Sequence, residues 1–285
     1  MSHDNPIDLA YFPGCSLATT AMESNASLMQ SARILGLNLI ELEDWNCCGS
    51  SSAQPFSQNL SLGLAARNLF LVPAGSPLVV MCPRCLYYLR RAQSYLKKEP
   101  QHHRALEEYW GREIVLDLKI MHFLEVLVGY GLERLRQKAS RNLKGLKFFP
   151  YYGCTVFRPA NMAQEKYYQG ELENILEALG AQPVFAPFTH RCCGSFLSAT
   201  DPDLVTPLVN EIIASAVTAG AHCVVTACAM CQLNLEIRST VRRKIPVFHF
   251  SEILALALGA EDYENWFRRH LVDPHPLIQE LALVA

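Results

Sequence analysis

The sequence predicts an α/β protein of two pseudo-symmetric half-domains, each built on a mainly parallel sheet flanked by helices. Short apolar runs alternate with longer stretches of helical spacing, as in sheets whose strands are connected by helices. A set of five cysteines also occurs twice in the same order: a lone cysteine, an adjacent pair followed by glycine, and Cys-x-x-Cys. The second set starts at Cys154 as the first starts at Cys15. This self-similarity over half the chain indicates one duplicated unit with small insertions.

In the first half, apolar runs that end at Pro-Gly or before a cysteine predict the strands, and helical spacing that stops at Gly36 or Pro73 predicts helices. The predicted strands are residues 7–12, 37–42, 78–81 and 114–116. The predicted helices are residues 19–35, 59–72, 83–97 and a last one through residue 128. The charged, histidine-rich stretch 98–112 is expected to be a solvated excursion without regular structure.

The second half repeats this plan. Its predicted strands are residues 146–151, 182–186, 223–227 and 247–250, and its predicted helices are residues 164–179, 204–219, 228–241 and 251–258. The expected domains are residues 1–140 and 145–260, separated by a Gly-, Arg- and Lys-rich boundary. Residues 261–285 are too few for a core of their own and are expected to dock on this chain or on a partner.

The composition narrows the classes of function that the protein can have. Apolar residues make up 50% of the chain and charged residues 18%, so some apolar surface is expected to be buried against partner subunits. A net charge of −2 gives no basis for nucleic-acid binding. No apolar stretch is long enough to span a membrane, and residues 1–6 show no signal-peptide pattern. We therefore expect a cytoplasmic protein, in which clustered cysteines indicate metal or redox chemistry rather than disulfides.

Every cysteine of the two sets follows a predicted strand, so each set is expected at the carboxyl edge of its sheet, where such folds bind ligands. The first set is Cys15, Cys47, Cys48, Cys82 and Cys85, and the second is Cys154, Cys192, Cys193, Cys228 and Cys231. A structural zinc takes four ligands, one fewer than each set offers. A polynuclear iron–sulfur cluster in each half is therefore favoured, with zinc as the alternative.

A few other residues are candidates for the same sites. Gly49 and Gly194 allow the loop after each cysteine pair to fold so that both sulfurs point inward. Trp45 and Asn46 precede the first pair and are expected to tune the cofactor by packing and hydrogen bonds. Arg84 and Arg158 each lie within four residues of one of the ten cysteines and are expected to line a substrate pocket. Cys223 lies inside a predicted strand and is expected to be a core thiol.

The motifs around the cysteines resemble the cysteine-rich (Cys-Cys-Gly) domain family, most closely the B subunit of heterodisulfide reductase. The resemblance covers residues 9 to about 281. It is carried by Tyr11-Phe12-Pro13-Gly14-Cys15, by Asp44-Trp45-Asn46-Cys47-Cys48-Gly49 and by Ala227-Cys228-Ala229-Met230-Cys231. It implies a non-cubane [4Fe-4S] cluster bound by all five cysteines of each set, with a disulfide cleaved between the two clusters. Some members of this family keep zinc in one half. Arg84 departs from the small residues usual at its position.

The resemblance implies a catalytic subunit that reduces or oxidises a disulfide, either a coenzyme heterodisulfide or lipoyl-bound sulfur. The sequence has no ferredoxin-type cysteine motif and no Gly-x-Gly-x-x-Gly after a strand, so electrons are expected to pass through partners. These are a ferredoxin-like protein similar to the C subunit of heterodisulfide reductase and a flavoprotein similar to its A subunit. The alternative is an electron-transfer or anchoring subunit of a succinate, lactate or glycolate dehydrogenase complex.

Overall fold

Two four-stranded parallel sheets, one in each half of the sequence, form the framework of the protein. The computed structural model describes residues 6–154 and 170–283. The strands of the first sheet are β1 (Ile7–Phe12), β2 (Leu37–Glu41), β3 (Leu78–Val80) and β4 (Ile120–His122). Those of the second are β5 (Lys147–Tyr151), β6 (Gln182–Pro183), β7 (Cys223–Thr226) and β8 (Val247–His249). The spatial orders are β2-β1-β3-β4 and β6-β5-β7-β8, which is the same topology. The predicted fold class is therefore confirmed.

Helices connect the strands in both halves. The first half contains α1 (Gly14–Ala18), α2 (Met22–Ile34), α3 (Gln58–Phe70), α4 (Pro83–Lys98), α5 (Pro100–Trp110), α6 (Phe123–Tyr130) and α7 (Leu132–Lys138). The second half contains α8 (Glu171–Ala178), α9 (Pro202–Thr218), α10 (Ala229–Arg238), α11 (Phe250–Ala257), α12 (Tyr263–Phe267) and α13 (His275–Glu280). Part of the predicted helix 164–179 lies outside the described residues. No described helix has both the length and the apolar character needed to cross a membrane.

Packing divides the chain into two units that do not follow the sequence repeat throughout. The first unit contains the chain up to Cys15 and Gly36–Val126, and the second contains Ser16–Leu35 and the chain from Leu127 onward. Helix α2 thus belongs to the first repeat by sequence and to the second unit by packing. Its buried face is rich in serine, and Ser27 Oγ lies 2.8 Å from Ser251 Oγ on α11. Each cysteine set nevertheless falls within one unit.

Two predictions in the first half are wrong. Residues 114–116 form no strand, because the backbone there is held by side chains: Glu107 Oε1 accepts the N–H of Ile114, and Gln93 donates to the carbonyl of Leu116. The fourth strand is β4, a few residues later. Most of the stretch 98–112 is not irregular but forms α5, which starts at Pro100 and ends at Trp110, followed by Gly111 in the left-handed conformation. No residue of α5 is buried, as its composition suggested.

The core of the second unit reaches the cysteines. Strand residues such as Phe149 and Val224 pack with the apolar face of α9, and Cys193, Cys228 and Cys231 belong to the same buried cluster. The C-terminal segment packs into this unit through Trp266 and Phe267, which are both buried. The second cysteine set therefore rests directly on the core.

Candidate metal centres

The ten cysteines lie just after corresponding strands of the two sheets. Cys15 follows β1, the Cys47–Cys48 pair follows β2, and Cys82 caps α4 directly after β3. In the second half, Cys154 follows β5, the Cys192–Cys193 pair follows β6, and Cys228 caps α10 after β7. Because β1 lies between β2 and β3, and β5 between β6 and β7, the loops meet at one edge of each sheet.

Hydrogen bonds connect thiols within each group. In the first group, hydrogen bonds link Cys15 to Cys47, Cys47 to Cys48, Cys48 to Cys85 and Cys85 to Cys82. In the second, Cys154 bonds Cys192, Cys231 bonds Cys228, and the Sγ atoms of Cys193 and Cys231 are 3.5 Å apart. The structure thus brings the two predicted sets together as two groups of five sulfurs.

Both groups have a buried side and an accessible side. Cys48, Cys82 and Cys85 are buried in the first group, as are Cys193, Cys228 and Cys231 in the second. The lone cysteine and the first member of the pair are exposed or half-buried in both. A group bound by the five sulfurs would therefore be held from the core side and reached from the other.

The glycine before each lone cysteine is a residue that sequence reasoning missed. Gly14 has a φ of +72°, and a Cβ on it would lie 3.0 Å from the Sγ of Cys85. Gly153 has a φ of +69°, and its Cβ would lie 3.1 Å from the Sγ of Cys231. A side chain at either position would be strained and would press on a thiol. The signal was present in the sequence, since Gly-Cys occurs at the start of both sets.

Gly49 and Gly194 hold the loop after each cysteine pair. Their φ angles are +77° and +76°. A Cβ on Gly49 would lie 3.0 Å from the backbone of Ser61 in α3, and one on Gly194 would lie 3.2 Å from Val205 in α9. Both loops therefore pack closely on the helix that follows.

Asparagines support the backbone of the cysteine pairs. Asn46 donates to the carbonyl of Cys47 at 2.7 Å, and its own N–H donates to Asn68 Oδ1 at 2.9 Å. In the second half, buried Asn234 donates to the carbonyl of Cys193 at 2.7 Å. Asn68 and Asn234 were not predicted, because neither adjoins a cysteine in sequence.

The remaining predicted residues differ in the groups that they contact. Trp45 donates from Nε1 to Glu41 and packs edge-on against Phe12, with ring centroids 5.4 Å apart. Arg84 donates to the carbonyl of Ser50, so its guanidinium lies over the loop after the first pair. Arg158 lies outside the described residues. Cys223 is fully buried in β7, in agreement with the prediction of a core thiol.

The crowded thiols share their charge unevenly. Hydrogen bonds from Cys15 and Cys48 hold the pKa of Cys47 far below its usual value, while the bond to Cys47 raises the pKa of Cys48 to about 11. In the second group, the hydrogen bond from Cys231 outweighs burial and lowers the pKa of Cys193 to about 6. Cys47 and Cys193 are thus favoured as thiolates at neutral pH, and full ionisation of either group needs a bound cation to offset the repulsion.

The thiols of each group are donors of the type that iron–sulfur clusters use, because thiolate is the usual ligand of such clusters. Within residues 6–154 and 170–283, no three His, Cys, Asp or Glu side chains converge as a ready-made metal site. The Cys-x-x-Cys motifs also open α4 and α10, whose first amides favour anionic sulfur.

A separate apolar cleft lies in the first unit between α3, α4 and α5. Its volume is about 430 Å³, and its lining includes Leu62, Ala66 and Leu106. Tyr95 and His102 form its polar end, with Oη and Nδ1 2.7 Å apart and their rings stacked. The opposite side of α3 carries Ser61 against the loop of the first cysteine pair.

Comparison with known proteins identifies the family. Residues 9–90 and 149–236, the two repeats, match the cysteine-rich domain family (CCG). The chain belongs to that family. The 8-methylmenaquinol:fumarate reductase membrane anchor subunit of Wolinella succinogenes is 34% identical over 284 residues, which cover 93% of this chain and 97% of that protein. A protein of Archaeoglobus profundus described as similar to the B subunit of heterodisulfide reductase is 27% identical, with 87% and 89% covered.

A solved structure supports the fold. A hypothetical protein from Helicobacter pylori has a TM-score of 0.71 with 12% sequence identity. The match covers 95% of this chain and 54% of the other, so the present chain spans about half of that structure. This likeness concerns the fold alone. The sequence resemblance to the B subunit of heterodisulfide reductase is confirmed by relatives of that description.

The close approach of Gly153 to Cys231 can be tested against a matched glycine. Gly153→Ala should disturb the second thiol group and reduce the metal bound there, because its Cβ presses on a sulfur. Gly220→Ala has a similar φ of +79° but open space around the new methyl group, so it should retain the metal of wild type. The measurement is metal content after anaerobic purification, and equal content in both variants would contradict the assigned role of Gly153.

Proposed function

We propose that this chain is the catalytic iron–sulfur subunit of a heterodisulfide-reductase-like complex. The observation that carries the proposal is the presence of two complete groups of five thiols, each with a buried and an accessible side. In this proposal each group holds one non-cubane [4Fe-4S] cluster through all five cysteines. If one half bound zinc in place of a cluster, redox chemistry would be limited to the other half.

The proposed reaction joins a disulfide, two electrons and two protons to give two thiols, or runs in reverse. The clusters, when bound, would supply the electrons one at a time. The residues of this chain would hold the clusters, leave one side of each open to substrate, and keep the cysteine pairs in place through Asn46 and Asn234. Arg84 and Arg158 are proposed to attract anionic disulfides, such as a coenzyme heterodisulfide or a lipoyl group.

Partner subunits are proposed to deliver the electrons. Large apolar side chains are exposed near the cysteine pairs, as partner docking would require. Phe56 follows the first pair and is 86% exposed, while Phe185 and Phe196 flank the second pair at 78% and 59%. The expected partners are a flavoprotein and a ferredoxin-like subunit.

A second candidate function is an electron-transfer or anchoring subunit of a quinone-linked dehydrogenase complex, for example one acting on succinate, lactate or glycolate. The 34% identity to the membrane anchor subunit of a menaquinol:fumarate reductase favours it. The apolar cleft also favours it, because its size suits a flat apolar ring and one helix, about 10 Å thick, separates it from the first cysteine loop.

One assay separates the two candidates. With a reduced artificial electron carrier, the wild-type protein should reduce a disulfide, tested with the coenzyme heterodisulfide and with lipoamide. Cys193→Ser should lose this turnover, because the reaction needs an electron from each cluster. A menaquinone analogue is offered in parallel. Reduction of the quinone alone, with equal rates in wild type and Cys193→Ser, would contradict the disulfide proposal and support the second candidate.

Arg84 can be tested by a charge-matched pair of variants. Arg84→Ala should raise KM for an anionic disulfide by about tenfold and change kcat little, because it removes attraction common to the ground and transition states. Arg91→Ala, on the same helix with its guanidinium 6.0 Å from the Tyr88 ring, removes equal charge away from the loop. The increase in KM of Arg84→Ala relative to wild type should become smaller with added salt. Equal KM values for the two variants would exclude the role of Arg84.

A further inference from the structure

A His-x-x-Glu motif starts at the last residue of β4 and at the last residue of β8. In the first half, Glu125 accepts the N–H of His122 at 2.6 Å, and in the second Glu252 accepts the N–H of His249 at 2.8 Å. The two glutamates therefore occupy equivalent positions, each at the first turn of α6 or α11. The residues that contact these two glutamates differ between the halves.

In the first half the glutamate faces a cation. Arg90, five residues after Cys85, donates to both oxygens of Glu125 at 3.2 Å and to the carbonyl of Ile120. The residue five positions after Cys231 is Glu236, so the charge at this site of the repeat is reversed. The second half thus brings two carboxylates together, and their side chains are only 5% and 0% exposed.

The C-terminal segment supplies the missing cation. His270 places Nδ1 2.8 Å from Glu236 Oε1 and Nε2 2.9 Å from Glu252 Oε1, and its side chain is 1% exposed. A carboxylate oxygen can only accept, so both ring nitrogens must carry protons and the ring is an imidazolium. Burial lowers the pKa of His270, but the charge of Glu252 and the two hydrogen bonds raise it more, to about 10.

The bonded glutamate also reaches the second cysteine group. The other oxygen of Glu252 accepts from Gln232 Nε2 at 3.0 Å, and Gln232 directly follows Cys231. Gln232 Oε1 in turn accepts from Ser24 at 3.1 Å, and all three residues are buried. The C-terminal segment, α11 and the helix that begins with the second Cys-x-x-Cys are therefore joined by one hydrogen-bonded network.

We propose that His270 takes the place in the second half that Arg90 takes in the first, and is a positioning residue for the second cysteine group. The C-terminal segment is then part of that site. The inference rests on the proposed function only where it concerns a cluster bound by Cys228 and Cys231. The ionic hydrogen-bond network between the C-terminal segment and α10 does not depend on the proposed function.

The charges around His270 set the expected pH dependence. Glu236 and Glu252 bond it, and Glu23 on α2, Arg269 beside it and Asp273 after it also act on the network. The folded pKa of His270 lies above its unfolded value of about 6.5. Its stabilisation is therefore complete below about pH 6.5 and is lost as the pH rises through about 10.

The test transplants the arrangement of the first half into the second. His270→Ala should lower Tm by roughly 10 °C, because it leaves two buried carboxylates facing each other. Adding Glu236→Arg to that variant should restore part of the loss, because an arginine there can pair with Glu252 as Arg90 pairs with Glu125. The recovery is partial because Glu236 also accepts the N–H groups of Val247 and Leu271, which an arginine cannot accept. The restored variant should also keep its Tm between pH 7 and 10, where that of wild type should fall, because arginine stays charged.

Two further measurements extend the test, and the first uses only wild-type protein, so it does not depend on whether the single variant folds. Hydrogen exchange of residues 263–271 in wild type should accelerate between pH 7 and 10 beyond the intrinsic rate change. In iron-loaded protein, His270→Ala should alter the electron paramagnetic resonance of the cluster lost in Cys193→Ser and leave the one lost in Cys48→Ser.

An unchanged Tm in His270→Ala, or no recovery with Glu236→Arg, would overturn the proposal. Recovery of Tm in protein that binds no iron would support the ionic network of His270 and contradict the bound cluster. Failure of this inference can therefore be distinguished from failure of the proposed function.

Discussion

Five sulfur atoms packed side by side at one sheet edge are the constraint on which each half of this protein depends. Thiolates in contact repel one another, so the hydrogen bonds between the thiols lower the pKa of Cys47 and Cys193 and raise the pKa of their partners Cys48 and Cys231. The backbone must also pass close to the sulfurs, which explains the left-handed glycine ahead of each lone cysteine. The parallel sheet meets both demands, because it ends three neighbouring strands at one place.

Local sequence patterns predicted the parts of this arrangement that are set locally. Strand β1 has its predicted bounds, and each cysteine motif follows its own strand. The predicted fourth strand lies too early because residues 114–116 are more apolar than β4 itself. Only the side chains of Gln93 and Glu107 show that the backbone of residues 114–116 is bonded elsewhere. Helix α5 was missed because charge was taken to indicate an irregular segment, although an exposed helix needs no buried residue.

Other features depend on contacts between distant parts of the chain and leave little trace in the sequence. Asn68 on α3 and Asn234 on α10 contact the loops of the cysteine pairs from these helices. Helix α2 joins the second unit through its serine face. His270 is recognisable only once Arg90 and Glu236 are placed at equivalent positions of the repeat. The two halves thus share their thiol arrangement and differ in the charges that support it. This difference gives a physical basis for unequal roles of the two sites.

The central claim, that each half holds its own multi-iron cluster, is tested most directly by iron and acid-labile sulfide analysis with Mössbauer spectroscopy. Anaerobically purified wild type should contain roughly eight iron atoms per chain and a similar amount of sulfide. Cys48→Ser and Cys193→Ser should each lose about half of this iron and remove a different spectral component. Stoichiometric zinc in both halves with no visible absorption, or loss of all iron from either single variant, would contradict the account.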